Sequence, residues 1–202
     1  MKYYKLTDAA GKTRADYDNE CQWGENITHE AEGKGIRLCS PDFIHAYRDP
    51  YQAILLNPIN GNYDENTMLM WEGEGEEIVY QEGKSGFKRF TTEHQIPIPD
   101  LPLELRVEIA IHLALQVYEA KDFRRWAEDW LDGKDRTVIT TEIAAEAAGC
   151  AAWWAAEAAG WAVEAAEEAG WAARAAKIYD GDIILETIYA VLENQEKENA
   201  RS

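Results

Sequence analysis

Three prolines within six residues, Pro97, Pro99 and Pro102, divide the chain. Each fixes its own φ, lacks a backbone donor and pushes the residue before it out of the helical region. Neither a helix nor a central strand runs through such a stretch, so it reads as a stiff linker. Before it lie short apolar runs punctuated by Gly and Asn; after it the apolar residues recur with helical spacing. The expected architecture is α+β: a small mixed α/β domain over residues 1–100, then an Ala- and Trp-rich helical bundle over 103–195.

In the first part, residues 2–7 alternate aromatic and polar types, the mark of a half-buried strand. Trp23 to His29 reads as a second strand and Ile36 to Cys39 as a third. Ser40-Pro41-Asp42 carries a helix-start signal, a Ser cap followed by Pro, and Arg48-Asp49-Pro50 a break. Tyr51 to Leu56 suits a short helix or a buried strand. Met68–Glu72 and Glu76–Tyr80 predict strands around Gly73 and Gly75. Gly83-Lys84-Ser85-Gly86 predicts a turn. Phe87 to Thr92 and the segment around Ile96 complete the β-rich half.

In the second part, apolar residues at 103, 107, 111 and 115, widened by Leu105, Ile109 and Leu113, predict a helix over 103–118. Asp122 to Leu131 predicts another, with Phe123, Trp126 and Trp130, ended by Asp132-Gly133-Lys134. Ala-Glu-Ala-Ala-Gly occurs at 145–149 and again at 156–160. Eleven residues are close to three helical turns, so this is a helical quasi-repeat. It gathers Glu142, Glu146, Glu157, Glu164 and Glu168 on one stripe, opposite Ala, Gly and Trp. A final helix is expected over 182–192, followed by a frayed, charged end.

The formal net charge is −18. Residues 1–100 contribute 10 basic and 18 acidic side chains and the remainder 10 and 20, so the acidity is spread over both parts. Such a charge repels nucleic-acid phosphates and anionic membranes and suits a basic protein partner. No apolar run approaches the roughly 18 residues of a membrane span. Three cysteines without a C-x-x-C spacing indicate free thiols and a reducing, cytoplasmic setting.

Few residues point to chemistry. Cys21, His29, Cys39 and His45 are ligand types for zinc, but their C-x7-H-x9-C-x5-H spacing has none of the close pairs of a zinc site. Glu72, Glu74 and Glu76 alternate as strand neighbours would, interrupted by glycines that suit a solvent-facing turn. No nucleophile motif, phosphate loop, cofactor signature or metal set is present, so no catalytic residue is assigned. His45, Tyr47 and Arg48, on one short segment, are the candidates for binding a ligand. Glu146, Glu157, Glu164 and Glu168, with Trp153 and Trp161 as aromatic anchors, are the candidates for binding a partner.

Two resemblances add to this. Tyr3-Tyr4-Lys5, Leu38-Cys39-Ser40 with Phe43-Ile44-His45-Ala46-Tyr47 and Asp49-Pro50, and Trp71-Glu72-Gly73-Glu74-Gly75 resemble an uncharacterised domain of phage and prophage proteins, over residues 1 to about 100. The stretch from Tyr118 through Trp126, Trp130 and Asp132-Gly133-Lys134-Asp135-Arg136 into the Ala-Ala-Trp repeats resembles Ala-rich helical proteins assigned as immunity proteins. Together they imply phage or prophage cargo with a binding role. With the charge of −18 and no catalytic motif, the leading expectation is a phage-borne acidic protein that neutralises a host defence protein or toxin by stoichiometric contact, in the manner of anti-CRISPR or immunity proteins. The basic partner would itself bind nucleic acid; this chain would not. The alternatives are a self-associating structural or assembly component of a phage, and a nucleotide-binding protein or enzyme that uses the α/β part.

Overall fold

A computed structural model describes residues 1–15, 17–35, 37–38, 40–81, 83–116, 121–134 and 181–200, without the side chains of 58–60, 103, 122 and 123. The fold is α+β, and the chain forms two compact units, Met1–Asp100 and Leu101–Ser202. The described helices include none long and apolar enough to cross a membrane.

The first unit holds nine strands and one helix among its described residues: β1 (Tyr3–Thr7), β2 (Lys12–Thr13), β3 (Cys21–Gln22), β4 (Ile27–Glu30), β5 (Ile44–Ala46), α1 (Pro50–Asn60), β6 (Leu69–Glu74), β7 (Glu77–Gln81), β8 (Lys84–Phe87) and β9 (Arg89–Ile96). They form three antiparallel sheets, ordered β1-β6-β9-β4, β2-β3 and β5-β8-β7. The largest and the β5 sheet meet at β1, where Tyr4 and Tyr47 exchange backbone hydrogen bonds of 2.8 and 2.9 Å.

The unit is built around aromatic side chains. Tyr3, Trp23, Ala46, Phe87 and Phe90 form one buried cluster. Tyr3 meets Phe87 edge-on with ring centroids 4.7 Å apart, and Phe87 lies 4.9 Å from Phe90, an arrangement that the ring quadrupoles favour. The register of β6 against β9 shifts between Glu72 and Gly73. A Cβ at Gly73 would lie 2.3 Å from the Thr91 carbonyl oxygen, so glycine is what lets the strands close at that bulge.

Three expectations are corrected here. Ser40-Pro41-Asp42 starts no helix: a turn there leads into β5, and the helix begins at Pro50. The deciding signal is Asp49-Pro50, which reads as a break in isolation. Asp49 caps the helix, its carboxylate accepting from the N–H groups of Tyr51 and Gln52, and Pro50 occupies a first-turn position where no donor is needed. Residues 84–86 are not a turn but the start of β8, the central strand of its sheet; the turn sits at Gly83, with φ at +70°. Arg37 and Leu38 lie outside any strand.

The second unit's described elements are α2 (Leu103–Leu115), α3 (Lys121–Leu131) and α4 (Gly181–Asn199). Val107 and Ile111 of α2 pack on Ala127 and Trp130 of α3. Ile184, Ile188 and Val191 of α4 are buried at helical spacing, and α4 packs on α2. α3 ends in a Schellman motif: Gly133, at φ +72°, donates to the Trp130 carbonyl and Lys134 to that of Asp129. α4 continues through Glu193–Asn199, where fraying was expected. The quasi-repeat of 145–160, with Glu142, and the partner candidates Glu146, Trp153, Glu157, Trp161, Glu164 and Glu168 lie outside the described residues.

Candidate functional site

Strand alternation decides which side chains of the first unit point inward. In β1, Tyr3, Lys5 and Thr7 share a face, and all three are buried. A lysine is thereby carried inside. Its ammonium donates to the main-chain oxygen of His45 at 2.9 Å and lies 4.6 Å from the centre of the Trp23 ring. An ammonium has three donors. Among the described residues no carboxylate forms an ion pair with Lys5; the ionisable groups that act on it are Cys21 and Arg14. Burial lowers its pKa to about 8, with Arg14 adding to the fall and Cys21 opposing it.

Lys5 lines a cavity of about 580 Å³ formed within the first unit, a size in the range of small-molecule sites. Its walls come from β1, the β2–β3 region, the segment 29–32, β5, the C-terminal end of α1 and β8. A second buried lysine, Lys84 at the start of β8, also lines it, and Arg14 reaches it from the chain between β2 and β3. Trp23, Phe43 and Tyr47 supply buried aromatic wall. Tyr63 completes it; Asn57 holds that residue by donating to its carbonyl at 2.8 Å and accepting from its N–H at 3.0 Å.

The three candidates of the segment 45–48 part company. His45 and Tyr47, two residues apart on one face, line the cavity. Arg48 faces the other way and is committed to Glu77, with Nε and a terminal nitrogen 3.0 and 2.6 Å from the two carboxylate oxygens. Its guanidinium also stacks 3.5 Å from the centre of the Tyr80 ring. Ser85 donates to the same carboxylate at 2.5 Å, and these bonds, Arg48 foremost, hold the Glu77 pKa below its ordinary value.

The His45 ring Nε2 is hydrogen-bonded to the Leu38 carbonyl. A carbonyl only accepts, so Nε2 carries the hydrogen and Nδ1 is bare. Burial lowers the His45 pKa to about 4; the bond to Leu38 opposes the fall, and Lys5, Lys84 and Arg14 deepen it. The Tyr63 hydroxyl is pushed up to about 12, by burial first and by Asp8 next. Near neutral pH neither group is poised to exchange a proton.

Cys21 and His29 also line the cavity, and His29 Nε2 is bound to the Gln22 carbonyl at 2.8 Å. Among the described residues the metal-ligating atoms that converge belong to Glu72, Glu93 and His94. There the Lys2 ammonium pairs with Glu93, so a cation of the chain is already in place.

Sequence reasoning missed Lys5, Lys84, Arg14, Trp23 and Tyr63. For Lys5 a signal existed: it keeps step with Tyr3 and Thr7, on the face that a buried β1 must turn inward. Compared with family models, with curated proteins and with solved structures, the chain matches none of them.

Proposed function

We propose that the first unit is a binding module for an anionic small molecule, held in the cavity between β1, β5 and β8. The observation that carries this reading is Lys5. Burying an ammonium is costly unless an opposite charge answers it, and here it borders an open cavity with no carboxylate of the described residues paired to it. A bound anion would supply that charge. The protonation states of His45 and Tyr63 favour binding over acid–base catalysis. Of the functions the sequence suggests, this is the ligand-binding alternative, nucleotides included.

The test is calorimetric titration of the full chain with phosphate, citrate, L-arginine and nucleoside monophosphates, repeated on Lys5→Met. Binding by the native chain that Lys5→Met weakens at least tenfold supports the reading. Equal binding by both, or no binding by either, overturns it.

A second reading, stoichiometric binding of a basic protein such as a nucleic-acid-binding defence protein, is favoured by the charge of −18 and by α4. That helix exposes Asp182, Glu186, Glu193, Glu196 and Glu198, with Tyr189 46% exposed among them. A partner captured from lysate at low salt and released at high salt would support it; capture indifferent to salt would sink it.

A further inference from the structure

The charged side chains around the cavity are sorted by burial. Lys5 and Lys84 are 7% and 8% exposed and lie at its floor. The carboxylates that line it, Asp18, Glu20, Glu30 and Glu32, are all exposed and form its rim, where Arg14 is the one cation among the described lining residues. Cations outside the lining answer two of them: Lys12 pairs with Glu20 at 2.7 Å and Arg89 with Glu30 at 4.0 Å. Asp18 and Glu32 enter no ion pair among the described residues.

A plain anion is therefore attracted by the floor and repelled by the rim. The repulsion is reinforced by the excess of acidic residues throughout residues 1–100. A ligand that carries its own cation behind the anionic group turns the repulsion into a second attraction. We propose that the cavity selects a zwitterion with a carboxylate at one end, seated at Lys5, and a cationic group at the other, facing Asp18 and Glu32. Because Lys5 is buried and Asp18 and Glu32 are exposed, the ligand's charges must be separated along its length. The side-chain cation of a basic amino acid meets that need; the adjacent charges of a neutral amino acid do not. The same chemistry is offered by free arginine or lysine and by the C-terminal residue of a peptide that ends in one. Lining by Trp23, Phe43 and Tyr47 suits the aliphatic stem between the two charges. This inference rests on the reading of the cavity as an anion site, and narrows it.

The experiment titrates the full chain with five probes: L-arginine, agmatine (which lacks the carboxylate), succinate and inorganic phosphate (which lack the cation), and acetyl-glycyl-arginine with a free C-terminus. L-arginine or the dipeptide is expected to bind at least tenfold more tightly than agmatine and succinate. The exposed double substitution Asp18→Asn with Glu32→Gln should weaken that binding severalfold and strengthen succinate binding. A dipeptide tighter than L-arginine identifies a chain terminus as the source of the ligand; the reverse order identifies the free amino acid. Succinate or inorganic phosphate binding as tightly as L-arginine would overturn the selection by the rim and leave the anion site standing. Silence from every probe, phosphate included, would overturn both.

Discussion

The ammonium of Lys5 donates to the main-chain oxygen of His45 at 2.9 Å, joining β1 to β5 at the floor of the cavity. The bond answers one of three donors and none of the charge. Replacing Lys5 by Met keeps an unbranched apolar stem and removes that charge. Among the described residues no carboxylate pairs with Lys5; exchanging such a buried ion for an apolar group is neutral to stabilising, and the lost bond to His45 offsets part of the gain. Lys5→Met should thus raise the stability of the ligand-free protein by about 1 kcal/mol at pH 7, measured by urea unfolding. A loss of several kcal/mol would show that the ammonium is ion-paired after all.

The pH dependence of anion binding follows from the same residue. Facing Lys5 are Cys21 from β3, Arg14 from the β2–β3 connection and His45 from β5; Lys84 of β8 lines the same cavity and acts on His45. With its pKa lowered to about 8, Lys5 is charged at pH 7 and loses its charge as pH rises through that value. Anion affinity should be flat from pH 6.5 to 7.5 and fall about tenfold by pH 9, in titrations at constant ionic strength. In Lys5→Met the fall should vanish. An unchanged alkaline fall in that variant would assign it to another group.

How much of this was legible in the sequence depends on the range of the contacts involved. β1 and α2 announce themselves, because their period is set by residues two to four apart. Residues 84–86 mislead for the opposite reason. Gly83, Ser85 and Gly86 carry turn chemistry, yet Gly86 is a strand glycine with a tertiary cause: a Cβ there would lie 2.7 Å from both Leu38 and Val79 side chains. Asp49-Pro50 outranks Ser40-Pro41 as a helix start only because Asp49 reaches two N–H groups in the folded chain. The cavity is the least legible part. It joins side chains from six strands, the loops between them and the end of α1, so the inward turn of Lys5 was readable while its meeting with Trp23 was not.

Acid should test His45. Its folded pKa of about 4 lies below the ordinary value of 6.5, because burial disfavours the imidazolium. Between those values the unfolded chain takes up a proton that the native state refuses, so stability falls as pH drops from about 6.5 to about 4 and levels off below. The loss should be on the order of 3 kcal/mol. His45→Gln, which retains a donor for the Leu38 carbonyl, should flatten that part of the profile. If the slope between pH 6.5 and 4 is the same in both proteins, His45 is solvated and the burial argument fails.

Arg48 and Glu77 give the complementary case, a charge pair that serves the fold and leaves the cavity alone. Two hydrogen bonds, a donated bond from Ser85 and the stack on Tyr80 satisfy both partners. A double-mutant cycle of Arg48→Met and Glu77→Gln should return a coupling of about 2 kcal/mol. Glu77 has a depressed pKa, so the coupling is fully present above its unfolded value near 4.5 and disappears as pH falls through the folded one. Anion affinity should stay within about twofold in both variants; a tenfold loss would return Arg48 to the ligand site.

Lys88 organises the loop that carries part of the cavity wall. Its ammonium donates to the carbonyls of Gly35 and Asp42 at 2.9 and 2.7 Å, reaches that of Gly33 at 3.4 Å, and lies 4.1 Å from the centre of the Phe43 ring. Asp42 ties the loop from the other side, its carboxylate accepting from the Gly35 N–H at 2.8 Å. The loop is thus wrapped around one cation. Lys88→Met keeps the stem on Phe43 and removes the donors, so it should loosen the loop without unfolding the sheets. Amide exchange at Gly35, whose hydrogen goes to Asp42, should quicken about tenfold, equivalent to roughly 1.4 kcal/mol of local opening, while Phe90 in the core stays protected. Exchange that quickens equally at both positions would mean that Lys88 supports the whole unit; exchange unchanged at Gly35 would mean that Asp42 alone holds the loop.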